Sequence, residues 1–386
     1  MNIGIASPIN ISELKIHLKN LKRTEENLGL GGTAINIIID GLIKNGHKVT
    51  VFTLDPTVKE KHILEGPKLK VIIGHFRSSN KIKTFDFCRK EIKQIKLFIN
   101  EEKENLDIVN AHWSYEFAIG TILSKVPHLI TFRDDSFRIL KLTKHPYRLS
   151  RLLMDLWVRK KGKHFSYNSP YLKSGINLAG DIIPNPINDY EIEQKRVYPT
   201  KKEIQICYVA NGWTYFKNPE TALLAFNIAN TKIKNIKLTM IGEGLGESSK
   251  NYKQICKKGL NMNVIFRGKL PHRKFLKELH NFDIMLHTAR EESFGNNIIE
   301  AMAKGIPVIA GKNSGAVPWV LNYGAAGCLI DIEKPEIVAN AIAKLVNDKY
   351  YYEKLSIEGL SNVVKRFSQK EICRNYIELY KNIVCK

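Results

Sequence analysis

Short apolar runs recur along the chain, each followed by a segment whose apolar residues repeat every three or four positions. In the first half NIGIAS, HKVTVFT, LKVIIG, LDIVNAH, HLITF, HFSYNS and DIIPN read as strands, being brief, rich in β-branched residues and apolar on both faces. That is the pattern of parallel strands covered by helices on both sides. Helical spacing lies between them, for example over 34–44 and 92–103. A polar, charged stretch with prolines nearby, NDYEIEQKRVYPTKKE, interrupts the series and reads as a linker. A second series follows, IQICYVA, IKLTMIG, NVIFRG, FDIMLHT, IPVIAG and CLIDI, and a last helical pattern runs from about 369 to 383.

Two βα series in succession predict an α/β protein of two facing Rossmann-like, doubly wound domains with a cleft between them. The expected boundaries are 1–187 for the first domain, 188–202 for the linker and 203–364 for the second domain. The remaining 365–386 should form a helix that crosses back to the first domain. A chain of 386 residues is long enough for two such cores.

Composition narrows the class. The six cysteines are scattered, with no CxxC and no His/Cys cluster, which points to a reducing compartment and away from a disulfide framework or a zinc site. No apolar run approaches the length of about 18 residues that suggests a membrane span, and the N-terminus opens on a strand pattern. A cytoplasmic location is the expectation.

The net charge of +22 is spread over both halves of the chain. One segment, 138–163, concentrates it: nine Lys/Arg stand against Asp155 alone, interleaved with Leu, Tyr and Trp. Anionic lipid headgroups attract such a segment, nucleic acid would suit the same charge, and a basic helix can simply be solvated. Charge shared by both domains speaks against a nucleic-acid partner, and peripheral association with the inner face of a membrane, through 138–163, is the expectation.

Candidate chemistry centres on EESFGNNIIE, after the strand FDIMLHT. Glu292 and Glu300 flank the start of an apolar helix ending near Gly305. The unpaired N–H groups and positive dipole end of such a helix suit an anion, phosphate above all. Acidic residues favour helix starts anyway, so the pair alone says little.

The surrounding run, HTAREESFGNNIIEAMAKGIPVIAGKNSGAVPWVL followed by GAAGCLIDI, resembles the retaining GT-B glycosyltransferases of family 4 (glycosyl transferases group 1). Their pattern there is E-G-F-G-x-x-x-x-E-A-M-A-x-G-x-P-V-I-A, with Ser293 here in place of the usual Gly. Gly31-Gly32 is similar to that family's N-terminal glycine loop, IPNPI (183–187) to its domain-boundary signature, and MIGEGLG and FRGKL to its later strand ends.

The resemblance implies roles. Glu300 would bind the ribose hydroxyls of a nucleotide sugar, UDP- or GDP-linked. Glu292 would meet the hydroxyls of the donor sugar, assisted by backbone N–H groups near Phe294, Gly295 and Asn296. Gly31, Gly32 and Gly242 would approach the donor, and Lys217 would hold its diphosphate. The partner Arg usual five residues earlier is Gly212 here, leaving Lys269, Arg267 or Arg290 to substitute. His112 matches the histidine near the donor sugar. Asp134 aligns with a frequent His-Asp pair whose His is here Arg133, an extra cation on the acceptor side. The implied activity is retaining sugar transfer without a metal or other cofactor. The acceptor would be a glycan or lipid-linked glycan of cell-surface polysaccharide synthesis, with the two domains closing to exclude water.

Two rivals fit less well. GLGGTA (29–34) satisfies a dinucleotide fingerprint, with Asp55 downstream, but it does not open directly from a strand, as an NAD-dependent oxidoreductase requires. A non-catalytic membrane- or nucleic-acid-binding protein would gather its basic and aromatic residues on one element. A metal-dependent transferase of the single-domain type would carry a D-x-D, and the chain has none.

Overall fold

The computed structural model describes residues 1–193, 196–200 and 203–385. It divides into two compact units, Met1–Pro186 with Gln369–Lys386, and Ile187–Ser368.

The first unit is built on eight strands: β1 (Asn2–Ala6), β2 (Lys48–Asp55), β3 (His62–Glu65), β4 (Leu69–His75), β5 (Ile108–His112), β6 (His128–Phe132), β7 (Phe165–Tyr167) and β8 (Asp181–Ile182). Their order in the sheet is β3-β4-β2-β1-β5-β6-β7-β8. All neighbours are parallel except β3, which pairs antiparallel with β4. That edge strand, HILE, is missing from the sequence expectation because only Leu64 in it is buried and its apolar run is too short to stand out. The interior strands are buried on both faces, so residues one apart feed separate cores: Ile3 and Ile5 pack on one side, Ala6, Phe52 and Val109 on the other.

Chain order reverses between β1 and β5. In open parallel sheets that reversal opens a crevice beyond the carboxyl ends of the strands, where ligands bind.

The C-terminal helix Gln369–Val384 completes this unit by packing against the helix Thr33–Lys44. Gly41 permits the approach, since a Cβ there would lie 2.3 Å from the Cys373 sulfur. Gln369 donates through Nε2 to the Ile37 carbonyl and to Asp40, both at 2.7 Å. Ile372, Tyr376 and Tyr380 are fully buried, each stabilising the contact by about 1.5–3 kcal/mol.

The second unit carries β9 (Ile204–Val209), β10 (Ile236–Ile241), β11 (Val264–Gly268), β12 (Ile284–His287), β13 (Val308–Gly311) and β14 (Cys328–Ile330). The sheet is wholly parallel, in the order β11-β10-β9-β12-β13-β14, with its reversal between β9 and β12.

The stretch 188–202, expected as a linker, lies partly outside the described residues, and its described part is not a free spacer. The Glu193 N–H donates to the Ala303 carbonyl at 2.8 Å. Arg196 donates to the His280, Phe282 and Lys304 carbonyls and to Asp283. Tyr198 packs edge-on against Tyr352, with ring centroids 5.3 Å apart. One arginine with several carbonyl acceptors fastens the segment to the second unit. A hydropathy pattern cannot reveal such an anchor.

Candidate active site

In the second unit the candidate residues gather at the carboxyl ends of β9, β10 and β12, beside the reversal point. Gly295 precedes the helix Asn296–Ala303 with φ 96°, a left-handed turn that suits glycine, and supplies no side-chain cap. The first N–H groups of such a helix have no partner within it. Asn297 steers the helix by donating from Nδ2 to the Val209 carbonyl at 2.9 Å, at the end of β9.

Lys217 occupies a loop strapped to both strands at the reversal. The Tyr208 hydroxyl, on β9, donates to the Lys217 carbonyl at 2.6 Å, and the Thr288 hydroxyl, just after β12, donates to the Asn218 carbonyl at 2.7 Å. Its ammonium forms an ion pair with Glu292. His287 Nε2 lies 3.6 Å from the same carboxylate. Burial drives the Glu292 carboxyl upward, but the Lys217 charge, with the nearby His287 ring, prevails and holds it at about 2. Glu292 is therefore a committed carboxylate. The resemblance gave Lys217 and Glu292 separate ligand groups; the fold brings them into contact.

Glu300 is buried in the second turn of the helix, and the His272 ring nitrogen Nε2 lies 2.8 Å from its Oε1. Neither His287 nor His272 was singled out in the sequence. His287 closes β12 and His272 follows FRGKL in PHRK, but a lone histidine carries no spacing signal.

The other assignments divide. Phe294 is a core side chain, packed edge-on against Trp319 and Phe367 at 6.4 and 5.7 Å, so it can offer a ligand only its backbone. Gly242 has φ 137°, and a Cβ there would lie 1.7 Å from the Ala210 carbonyl oxygen, so only glycine fits between β9 and β10. Of the substitutes for an arginine at 212, Arg290 is paired with Glu333 at 2.8 Å and stacked on Tyr215, and Arg267 pairs with Glu278 at 3.1 Å. Lys269, 74% exposed and 3.9 Å from Glu243, is the most loosely engaged of the three.

In the first unit, Gly31 and Gly32 turn with φ 98° and 95° into the helix Thr33–Lys44. A Cβ on Gly32 would lie 2.3 Å from the Pro8 carbonyl oxygen, whereas the same position on Gly31 faces open space. Asp55, the acid a dinucleotide fingerprint would need, accepts the Gly29 N–H at 2.7 Å and the Thr57 N–H at 2.7 Å, and so holds this loop itself.

His112 closes β5 and is fully buried. Burial, and then the Arg133 charge, push its imidazole well below the usual histidine range. The extra cation expected at the acceptor side is not free for that role: Arg133 is buried and donates to His112, Asn185 and Tyr376. Asp134 accepts from the Tyr115 hydroxyl at 2.9 Å, and burial raises its carboxyl to about 6.

The basic segment 138–163 forms the helices Ser136–Thr143 and Pro146–Lys161. Three of its cations turn inward. Arg138 pairs with Asp135, Arg159 with Asp155, and Arg151 with Glu116 while lying 3.8 Å over the Tyr115 ring. Counting charges within the segment missed Asp135 and Glu116, which lie outside it. Among the described residues no helix is long and apolar enough to cross a membrane, and no cluster of three His, Cys, Asp or Glu is placed to hold a metal ion.

Residues 189–361 match the family described as Glycosyl transferases group 1. The second unit is a group 1 glycosyltransferase domain. N-acetyl-alpha-D-glucosaminyl L-malate synthase of Bacillus anthracis is 23% identical over 312 residues, covering 73% of this chain and 76% of that protein. Sucrose-phosphate synthase of Spinacia oleracea is 38% identical over 94 residues, a match spanning 24% of this chain but only 9% of the relative. Among solved structures, sucrose-phosphate synthase from Thermosynechococcus elongatus superposes with a TM-score of 0.77 at 17% identity, covering 100% of this chain and 99% of that one. The structure described as trehalose-6-phosphate from E. coli bound with UDP-2-fluoro glucose gives 0.68 at 12% identity, covering 99% of each chain. The fold is GT-B, and the chain is a glycosyltransferase.

Proposed function

We propose that this glycosyltransferase moves a sugar, with retention of configuration, from a UDP- or GDP-sugar to a glycan or lipid-linked glycan in cell-surface polysaccharide synthesis. The observation that carries the donor half is the Gly295-capped helix of the second unit, with Glu292 before it, Glu300 inside it and Lys217 in contact with Glu292. As the sugar–phosphate bond breaks, negative charge grows on the leaving diphosphate. The helix N-terminus and Lys217 neutralise it in place, with no metal assigned a part. Glu300 accepts hydrogen bonds from the ribose hydroxyls, and Glu292, ionised throughout the physiological range, accepts them from the sugar and so fixes its orientation. By the family resemblance, His112 of the first unit is a substrate contact.

A lipid-linked acceptor has its own support. On the helix Pro146–Lys161, Leu149, Leu153 and Leu156 are each about half exposed and fall on one stripe. Phe137 precedes them at 60% exposure, and Phe85, on the contacting helix Asn80–Phe85, is 89% exposed. Exposed Lys141, Lys144, Lys160, Lys161 and Lys163 flank this apolar face. Apolar area to insert beside cations to attract headgroups suits an anionic bilayer surface.

A panel of nucleotides and nucleotide sugars tested for thermal stabilisation checks the donor reading. A nucleoside diphosphate and its sugar should raise the melting temperature, and a panel without effect at saturating concentration would remove the donor site.

A further inference from the structure

In the first unit β5 ends on His112, and the next strand of the sheet, β6, is followed at once by Arg133. Both side chains are buried. The guanidinium approaches one ring nitrogen with two donors, Nη2 at 3.0 Å and Nε at 3.3 Å from His112 Nδ1. Arginine has only donors to offer, so Nδ1 must present its lone pair, and the ring proton must reside on Nε2. The guanidinium is itself held, donating from Nη1 to Asn185 Oδ1 and from Nη2 to the Tyr376 hydroxyl at 3.4 Å. Tyr376 belongs to the C-terminal helix and sets its ring edge-on to His112, with centroids 6.4 Å apart.

The other nitrogen tells the complementary half. His112 Nε2 is buried and has no partner among the described residues. A buried N–H left unmade costs about 1–3 kcal/mol, and such a donor in a native fold calls for an explanation. Its position supplies one: it stands at the carboxyl end of β5, beside the reversal of strand order, where parallel sheets receive ligands. The chain also turns abruptly there, with Trp113 at φ 65° and its N–H bonded to the Thr131 carbonyl at 3.0 Å. A left-handed aromatic residue is a strained choice that marks functional turns.

We propose that Arg133 is a positioning residue that locks His112 as the neutral Nε2–H tautomer, making it a fixed hydrogen-bond donor to a substrate oxygen and not a general base. This rests on the reading of His112 as a substrate contact. Protonating the ring would place an Nδ1–H against two guanidinium N–H groups in a buried setting. The groups facing the pair include Tyr376 and Tyr380 from the C-terminal helix and the amide of Asn185. His112 therefore keeps one protonation state across the working range, and Arg133 sets which nitrogen carries the proton.

The test uses the full chain with 15N-labelled histidine, the His112 ring being assigned by comparison with His112→Gln. The expected spectrum shows a protonated Nε2 and an unprotonated Nδ1, unchanged between about pH 5 and pH 8. In Arg133→Met the tautomer preference should weaken and the ring should titrate closer to ordinary histidine. The kcat/KM of that variant should fall by about tenfold or more and gain a new limb below about pH 6.5. Arg133→Lys, which keeps one cationic donor, should restore part of both. A wild-type ring that titrates between about pH 6 and pH 7, or that carries its proton on Nδ1, overturns the proposal even if the Met variant does not fold. So does a Met variant whose ring spectrum matches the wild type. Failure of the nucleotide panel would remove the donor reading while leaving this spectrum untouched, so the two ideas fail separately.

Discussion

Removing Lys217 should uncover a buried charge. In Lys217→Met the Glu292 carboxylate, 17% exposed, loses its ion-pair partner and keeps His287 at 3.6 Å. The folded protein holds this carboxyl at about 2 against an ordinary 4.5. That difference corresponds to about 3 kcal/mol, at 1.36 kcal/mol for each tenfold change in proton affinity. Because His287 contributes part of it, Lys217→Met should cost about 2–3 kcal/mol at pH 7. A carboxyl depressed on folding stabilises the fold above its unfolded value, near 4.5, and that contribution drains away as pH falls toward 2. The assay is urea unfolding of wild type, Lys217→Met, Glu292→Gln and the double variant, at neutral pH and again near pH 3.5. The coupling energy of the cycle should be about 2 kcal/mol or more at pH 7 and should lose about 1 kcal/mol by pH 3.5. A coupling below about 0.5 kcal/mol that does not change with pH would refute the reasoning, because exposed ion pairs behave that way.

Gly242→Ala should destabilise the second unit by more than about 3 kcal/mol in chemical denaturation, since its Cβ would meet the Ala210 carbonyl oxygen at 1.7 Å; a near-neutral result would mean the β9–β10 turn is not as described. Leu153→Glu with Leu156→Glu should lower binding to vesicles rich in anionic lipid by about tenfold or more, without lowering the melting temperature, because both side chains are about half exposed. Unchanged cosedimentation of that variant with the vesicles would take the apolar stripe out of the account.

Much of the architecture was written in the sequence. Interior strands buried on both faces, such as β12 and β13, show as short, mostly apolar runs. The edge strand β3 escaped because an edge needs only half of that signal. Glu292, Gly295 and Glu300 were singled out through the family resemblance of the run around them, the spacing of the two carboxylates alone saying little. The contacts that tune them were not, because Lys217 with Glu292, His272 with Glu300 and Arg133 with His112 join residues far apart in the chain. Pairing across a fold has no sequence period. The same gap explains why the charge of 138–163 looked freer than it is: Glu116 is remote from Arg151 in sequence and bonded to it in the fold.

The central claim is that the second unit holds the nucleoside diphosphate of a sugar donor through Glu300 and Lys217. Calorimetric titration of UDP and GDP into the wild-type protein and into Glu300→Gln tests it most directly. Glutamine keeps the shape and can still accept from His272 at the 2.8 Å contact, so the apoprotein should melt as the wild type does. The account predicts that one of the two nucleotides binds the wild type and that Glu300→Gln weakens it by about tenfold or more, the worth of lost charged hydrogen bonds to a ribose. Equal affinity in the two proteins, or no binding of either nucleotide to the wild type, would contradict it.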